Sequence, residues 1–481
     1  MASVVPVDSH LTKADRLVLK SLLQGSGRDE HALSQAEKNI LANPGSPPTP
    51  DSGYESIEHS SDESSTETPN ALRQRHTTTD PKGGAPNNAG LEHAGLKNVG
   101  PNDDVVLEAL KAMNNPADAR FEPSVFAAWD LTEISLPPWL DAHVLQPYIR
   151  WASTVVRAPT DVIMVTHLII YFAVIVPSAT LLFRNFTYLH AIPHWIFVSW
   201  CVGSYTLMRH QHIHMRGVLS PSWAWLDHTF PYLLDPLIGH TWNSYYYHHV
   251  KHHHVEGNGP ADLSSTIRYQ RDSPLHFALY FLRFAALIWL ELPLYFIRKH
   301  KPLLAAKAAF WEFSSYAIMY TLARYVNLRA ALFTLIIPFG LLRLGLMVGN
   351  WGQHALVDEL DPASDFRASI TLIDVPSNRY SFNDGYHTSH HLNPLRHWRD
   401  HPAAFFAQKE RYAAEGALVF ANTDYIMLTV RLLRKDYLHL ARECFVPIGE
   451  AQKAMSVDEI AAMLRTKTRA MSEEEIRQRF K

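Results

Sequence analysis

Cysteine is almost missing from this chain of 481 residues, which carries two, Cys201 and Cys444. Two thiols so far apart exclude a disulfide-stapled scaffold and a cysteine-based zinc ribbon, and they suit chemistry facing a reducing compartment. A large charge excess is missing as well. The net charge is −3, so no nucleic-acid surface is expected. No short apolar run stands behind basic residues at the N-terminus, so no cleavable signal peptide is expected. The GSG at Gly25 to Gly27 lacks a third glycine and a preceding strand, which excludes a dinucleotide fingerprint.

Aromatic residues and long apolar runs are scarce in residues 1–120, where the stretch NPGSPPTPDSGYESIEHSSDESSTETP is rich in proline, serine and acidic residues. Such a composition cannot bury enough apolar area to offset the entropy of ordering, so 1–120 is expected to be a disordered tail. At most two short helices are predicted in it, near Leu11 to Leu23 and Gln35 to Leu41. Chemistry is expected to need nothing before Trp151.

What is present begins with aromatics. Trp129, Trp139, Tyr148 and Trp151, with Arg150 and Arg157, make 121–160 an approach segment suited to a membrane interface. The runs Asp161 to Phe183 and His190 to Met208 are each close to the roughly 20 residues that span a bilayer. Trp223 to Gly239, broken by Pro231 and Pro236, reads as re-entrant or interfacial. Three more apolar runs follow, at His276 to Ile297, Ala308 to Val326 and Ala330 to Gly349. Each contains charge, and a charge at the bilayer centre costs about 2.5–3.5 kcal/mol. If all histidine clusters meet on one side, one of these three runs does not cross. The basic loop Arg298 to Lys301 argues that it is His276 to Ile297. The expected fold is therefore an all-α integral membrane protein with about four transmembrane helices, capped by the histidine segments. Capping boxes at Ser456 and Ser472 predict two short helices at the C-terminus.

Histidine is the abundant residue. Of 28 in the chain, ten lie between His210 and His254 and six between His354 and His401. His210 and His214 are one helical turn apart and share a face, with His212 pointing elsewhere. The second cluster admits two registers: His249, His252 and His253, or His249, His253 and His254. The third is His387, His390 and His391. Asn350 and His354 sit together at the end of the last apolar run. Imidazoles without thiolates suit zinc, copper or iron. Nine well-spaced histidines exceed the four ligands of structural zinc and fit two metals. Two irons beside a bilayer suit activation of dioxygen and removal of hydrogen from an unactivated C–H bond. Glu256, Asp262, Asp358 and Asp384 flank the clusters as candidates to accept the second ring N–H of a ligating histidine.

The pattern His210-x3-His214, then the box His249 to His254, then His387-x2-His390-His391, resembles the membrane fatty acid desaturase/hydroxylase superfamily across about residues 150 to 410. Asn350-x3-His354 resembles the extra asparagine and histidine that stearoyl-CoA desaturases use beside their di-iron centre, the asparagine in a second-shell or water-mediated place. The family places an aspartate shortly after the last histidine of the second box. Asp262 stands there if that histidine is His254, which favours the register His249, His253 and His254 and leaves His252 as the alternative. The resemblance implies a membrane desaturase domain over 161–410 and a cytosolic helical tail over 411–481. It also implies two Fe ions, dioxygen as co-substrate, a lipid or acyl-CoA substrate, and histidine boxes facing the cytosol from the endoplasmic reticulum. No fused cytochrome b5 motif occurs, so electrons are expected from a separate cytochrome b5 or ferredoxin. The activity implied is oxygen-dependent desaturation of an acyl lipid. Alternatives are a di-iron hydroxylase or oxygenase of a hydrophobic substrate, and a non-catalytic histidine-rich metal-binding membrane protein.

Overall fold

The computed structural model describes residues 11–24, 101–373 and 376–480. Apart from two three-residue strands, β1 (Ile370–Leu372) and β2 (Leu418–Phe420), paired in parallel, the described elements are helical. The N-terminal part holds the short helix expected near Leu11 to Leu23, and a second one, at its far end, that was not expected. Helix α1 (Lys13–Gln24) and helix α2 (Pro101–Ala112) are formed. Leu17, Val18 and Leu19 join Val106, Leu107 and Leu110 in a core shared with Phe405, Phe406 and Tyr412 from the far end of the chain. Composition misled here because the apolar partners of α1 lie almost four hundred residues away. The second helix expected, Gln35 to Leu41, falls outside the described residues.

Among the described residues, three helices are long and apolar enough to cross a membrane: α3 (Pro159–Arg184), α6 (Pro274–Arg298) and α8 (Leu328–Gln353). Between them lie α4 (Tyr188–Met215), the box-2 helix α5 (245–256) and α7 (Pro302–Thr321). The turn between α3 and α4 is capped by Thr187, whose side chain accepts from the His190 amide. The turn into α8 is capped in the same way by Asn327, which accepts from Ala330. These two turns meet. Phe186 lies 5.8 Å from Phe333, Arg329 stacks over Tyr188, and Leu182, Ala191 and Ala330 bury one another. The opposite ends of α4 and α8 carry box 1 and His354. The four helices α3, α4, α7 and α8 thus form two hairpins whose turns share one end of the molecule, with the histidines at the other.

Helix α6 behaves differently, although its composition would let it cross. Near its start Tyr280 donates to the Ser264 carbonyl. Near its end Tyr295 donates to Glu256, and Lys299, just past the helix, pairs with Glu256 at 2.8 Å. Both ends therefore stay beside the box-2 segment. One face of α6, with Leu275, Leu279, Leu282, Leu287, Leu290 and Leu294, is exposed.

The charges inside the apolar runs find partners. Glu312 of α7 pairs with Arg343 of α8 and accepts from Tyr316, while Arg283 pairs with Glu291 on α6. Prolines shape the same helices. The π-turns Tyr171–Ile175 and Leu332–Ile336 are each followed two residues later by a proline, Pro177 and Pro338. Its ring cannot face the carbonyl four residues back, and the wider turn removes that clash.

The segment between box 1 and box 2 folds back on the bundle through short turns at Pro221–His228 and Phe230–Leu234. Its Asp235 is fully buried against Arg209 at 3.0 Å and Tyr205 at 2.7 Å. The two capping boxes at Ser456 and Ser472 are present, starting Val457–Lys467 and Glu473–Arg479. This C-terminal region is tied to the box-2 segment through buried Arg271, which donates to the carbonyls of Ala355, Lys467 and Arg469.

Gly239 has φ +96°, and an added Cβ would lie 2.5 Å from the Pro338 carbonyl oxygen. Gly203, mid-way along α4, would meet nothing within 4 Å. Gly239→Ala is expected to destabilise by about 1–3 kcal/mol. Gly203→Ala is expected to be neutral or stabilising by up to about 1 kcal/mol. Thermal unfolding of the two variants in one detergent compares them directly; a Gly239→Ala midpoint equal to that of the parent would contradict the close packing.

Candidate metal centre

Box 1 occupies the last turns of α4, where His210 and His214 stand one turn apart with ring centroids 4.7 Å from each other. Box 2 is α5, and its five residues His249–His253 form a π-turn with no proline behind it. That turn decides how the box is used. In an α-helix His249 and His253 would share a face, as the spacing suggests. The i→i+5 turn instead sets His249 over His254, their Nε2 atoms 3.0 Å apart, and turns His253 aside. Box 3 is the short helix α9 (His387–Leu392), launched from the clamped turn Gly385–Tyr386.

Nine histidines gather into two groups. His210, His214, His249, His254 and His390 form one; His253, His354, His387 and His391 form the other. Within each group one nitrogen from every ring lies within 4.8 Å of the rest. Besides His249–His254, close Nε2 pairs are His254–His390 at 2.9 Å, His387–His391 at 3.1 Å and His387–His354 at 3.2 Å. Metal–nitrogen bonds of about 2.0–2.1 Å at right angles give an edge of about 3 Å, which is this spacing. His252 belongs to neither group. It is buried, with Nε2 accepting from the Leu263 amide. His212 is also outside, held between Arg209 and the Asp227 carbonyl.

Electrostatics favours neutral rings. Burial, then the neighbouring imidazoles, hold His249, His254, His387, His390 and His391 well below the ordinary histidine range. A neutral imidazole has a free lone pair, the form that ligates. Several of these rings have buried nitrogens with no partner in the protein: both nitrogens of His210, Nε2 of His214 and Nδ1 of His387. Orphaned nitrogens in a dry histidine cluster are costly unless something binds them. The donor set is therefore one that two borderline metal ions would satisfy.

Of the four flanking carboxylates, one takes the role expected. Asp262 accepts from Nδ1 of His253 at 2.8 Å, and its other oxygen accepts from Ser264. Burial would raise this carboxyl, but the adjacent His253 and His252 hold it well below the usual range. Glu256 is turned to Tyr295 and Lys299, and Asp358 to Lys467, away from any group. Asp384 lies 4.0 Å from Nδ1 of His210, beyond hydrogen-bond reach, and accepts from Gln353. Its burial pushes the carboxyl up to about 7. His354 instead donates Nδ1–H to the Ala368 carbonyl at 2.7 Å, a backbone partner that no residue pattern reveals. Asn350 donates to the Ser264 carbonyl and the Tyr280 hydroxyl, tying the end of α8 to the box-2 loop and α6.

Residues 187–422 match the family model described as fatty acid desaturase. The chain carries a fatty acid desaturase family domain. No curated protein and no solved structure matches the chain. The desaturase domain begins at the turn before α4 and ends just after β2, so it takes in all nine grouped histidines. Family and histidine groups together support an oxidoreductase of the desaturase or hydroxylase type, and with the apolar helices they indicate a membrane protein acting on lipid. Beside box 2 the desaturase domain holds a cavity of about 60 Å3 lined by His248, Tyr245, Phe284, Leu292, Phe339 and Leu342 among others.

If Asp262 orients His253, Asp262→Asn should weaken metal binding about 10–100-fold, read by competition with a chelator. His254→Gln should abolish occupancy of the five-histidine group, whereas His252→Gln should retain most of the bound metal. The reverse order for the two histidines would move the site by one residue.

Proposed function

We propose that this chain is an oxygen-dependent acyl-lipid desaturase whose two histidine groups hold a di-iron centre at the membrane surface. The observation that carries the reading is the convergence of nine histidine nitrogens, in groups of five and four, at one end of two long apolar hairpins. His210, His214, His249, His254 and His390 would hold one iron, and His253, His354, His387 and His391 the other. When bound, such a pair supplies dioxygen activation and abstraction of hydrogen from an unactivated C–H bond. The protein's own residues do the rest. Asp262 and the Ala368 carbonyl fix ring tautomers so that Nε2 faces inward. The cavity under His248, with Phe284, Leu292, Phe339 and Leu342 on its apolar side, would give part of an acyl chain a place beside box 2. Asn350, Ser264 and Tyr280 lock the end of α8 to the loop after box 2.

In this reading α3, α4, α7 and α8 cross the bilayer and α6 lies along its face with its leucines in lipid. The basic loop Arg298 to Lys301, bound to Glu256 through Lys299, supports a cytosolic side for the boxes, with the endoplasmic reticulum as the expected membrane. Electrons come from a separate donor protein, cytochrome b5 or a ferredoxin. The HPAA sequence at His401 supplies no haem motif, and the His401 ring is used against the Ser389 hydroxyl. Hydroxylation of the same substrate is the rival outcome, since both chemistries use the same ligand set. A zinc transporter would place ligands in mid-membrane, whereas these lie at helix ends.

Purified protein is expected to contain about two irons per chain, and expression in a host lacking the activity to yield a lipid with one added double bond by mass spectrometry. Zinc alone would refute the reading; a product heavier by one oxygen would replace desaturase with hydroxylase. Glycosylation acceptors inserted near Ser265 and near Ala421 should both stay unmodified, and modification at one of the two would break the shared-site topology.

A further inference from the structure

A helix from the N-terminus packs against the turn that begins box 3. Asp15 on α1 is 0 % exposed, although composition alone gives this polar segment no partner to pack against. Its Oδ1 accepts from the Tyr386 hydroxyl at 2.6 Å and its Oδ2 from Nδ2 of Asn378 at 3.3 Å. Tyr386 immediately precedes His387, and its carbonyl accepts from the His390 amide, so it forms the first turn of box 3. Asn378 holds the same turn from the other side. Its Oδ1 accepts from the Gly385 amide and its Nδ2 donates to the Leu372 carbonyl. There is no slack in this arrangement: a Cβ on Gly385 would lie 2.1 Å from Asn378 Oδ1. Next to it Arg379 donates to the Leu11 carbonyl and to Asp130, and Asp130 also accepts from the Lys13 amide.

We infer that α1 is a working part of the metal centre: Asp15 is a positioning residue that, through Tyr386 and Asn378, sets the launch of box 3 and hence the inward aim of His387, His390 and His391. The inference rests on the di-iron reading above. Its physical basis is that a carboxylate is buried at high cost unless its lone pairs are satisfied. The pair Asp15–Tyr386 is therefore a fixed point, and box 3 is a helix of only six residues with no side-chain cap of its own. A short helix without a cap takes its direction from what holds its first residue. Box 3 also feeds both histidine groups, so a small tilt is felt at both.

The test uses the full-length protein in four versions: the parent, Asp15→Ala, Asp15→Asn and Ser21→Ala. Ser21 bonds Asp103 at the other end of α1 and does not touch the box-3 turn. Iron per chain, iron affinity by chelator competition, and protease resistance of α1 are measured alongside turnover. Asp15→Ala is expected to accumulate with α1 still protected, to bind iron tenfold or more weakly, and to fall from two irons towards one. Asp15→Asn, which still accepts from Tyr386, should recover most of that loss, and Ser21→Ala should match the parent. Two irons held at parental affinity in Asp15→Ala overturn the inference. If Asp15→Ala does not accumulate, Tyr386→Phe carries the test, because it removes one hydroxyl and leaves α1 in place; undiminished iron affinity there overturns it equally. A parent protein without iron refutes the desaturase reading instead, so the two failures are told apart.

Discussion

Nine imidazoles brought to within bonding distance of common points are the constraint on which the rest of this structure depends. Rings that face one another nitrogen to nitrogen at about 3 Å cannot all be satisfied by one another, since each neutral ring has a single N–H. They are stable together around cations, and the scaffold must hold them there against their own preference for solvent. The scaffold does so with four chain segments: the end of α4, the π-turned α5, the end of α8 and the short α9. Each segment is fixed by a different device. Arg209–Asp235 anchors the first, Asp262 the second, Asn350 and the Ala368 carbonyl the third, and the Asp15–Tyr386–Asn378 cluster the fourth.

The long helices serve this end by geometry. Two hairpins with their turns together at one end deliver box 1 and His354 to the same level at the other. Helix α6 closes the site from the side, and its tyrosines at either end reach the box-2 segment. The mid-helix pair Glu312–Arg343 ties α7 to α8, each charge neutralised by the other where both are largely buried. Around the histidine end, the C-terminal helices and the N-terminal helix form the polar-faced cap that an isolated hairpin pair would lack.

Much of the site was legible in residue order because metal chemistry leaves a dense signature. Histidine at three- and four-residue spacings beside apolar runs has few structural uses, and the same nine residues meet in space. The division of box 2 was not legible. An α-helical register pairs His249 with His253, and only the π-turn, for which no proline or glycine stands as a marker, pairs His249 with His254. Nor were three of the four flanking carboxylates, because proximity in sequence to a histidine says nothing of the direction in which a loop turns its side chain.

By itself, then, the residue order determined the class of the protein, the positions of its apolar helices, and the histidines available to a metal, since all three depend on composition and short-range spacing. The tertiary structure alone decided which histidines share a group, which groups orient them, and that the N-terminal helix belongs to the core. Those outcomes rest on backbone geometry and contacts that residue order does not display, from the π-turn and the His253–Asp262 bond within box 2 to partners nearly four hundred positions apart. A buried aspartate such as Asp15 looks like any other acidic residue of a polar helix until the tyrosine and asparagine that satisfy it, more than 360 residues later, are folded against it.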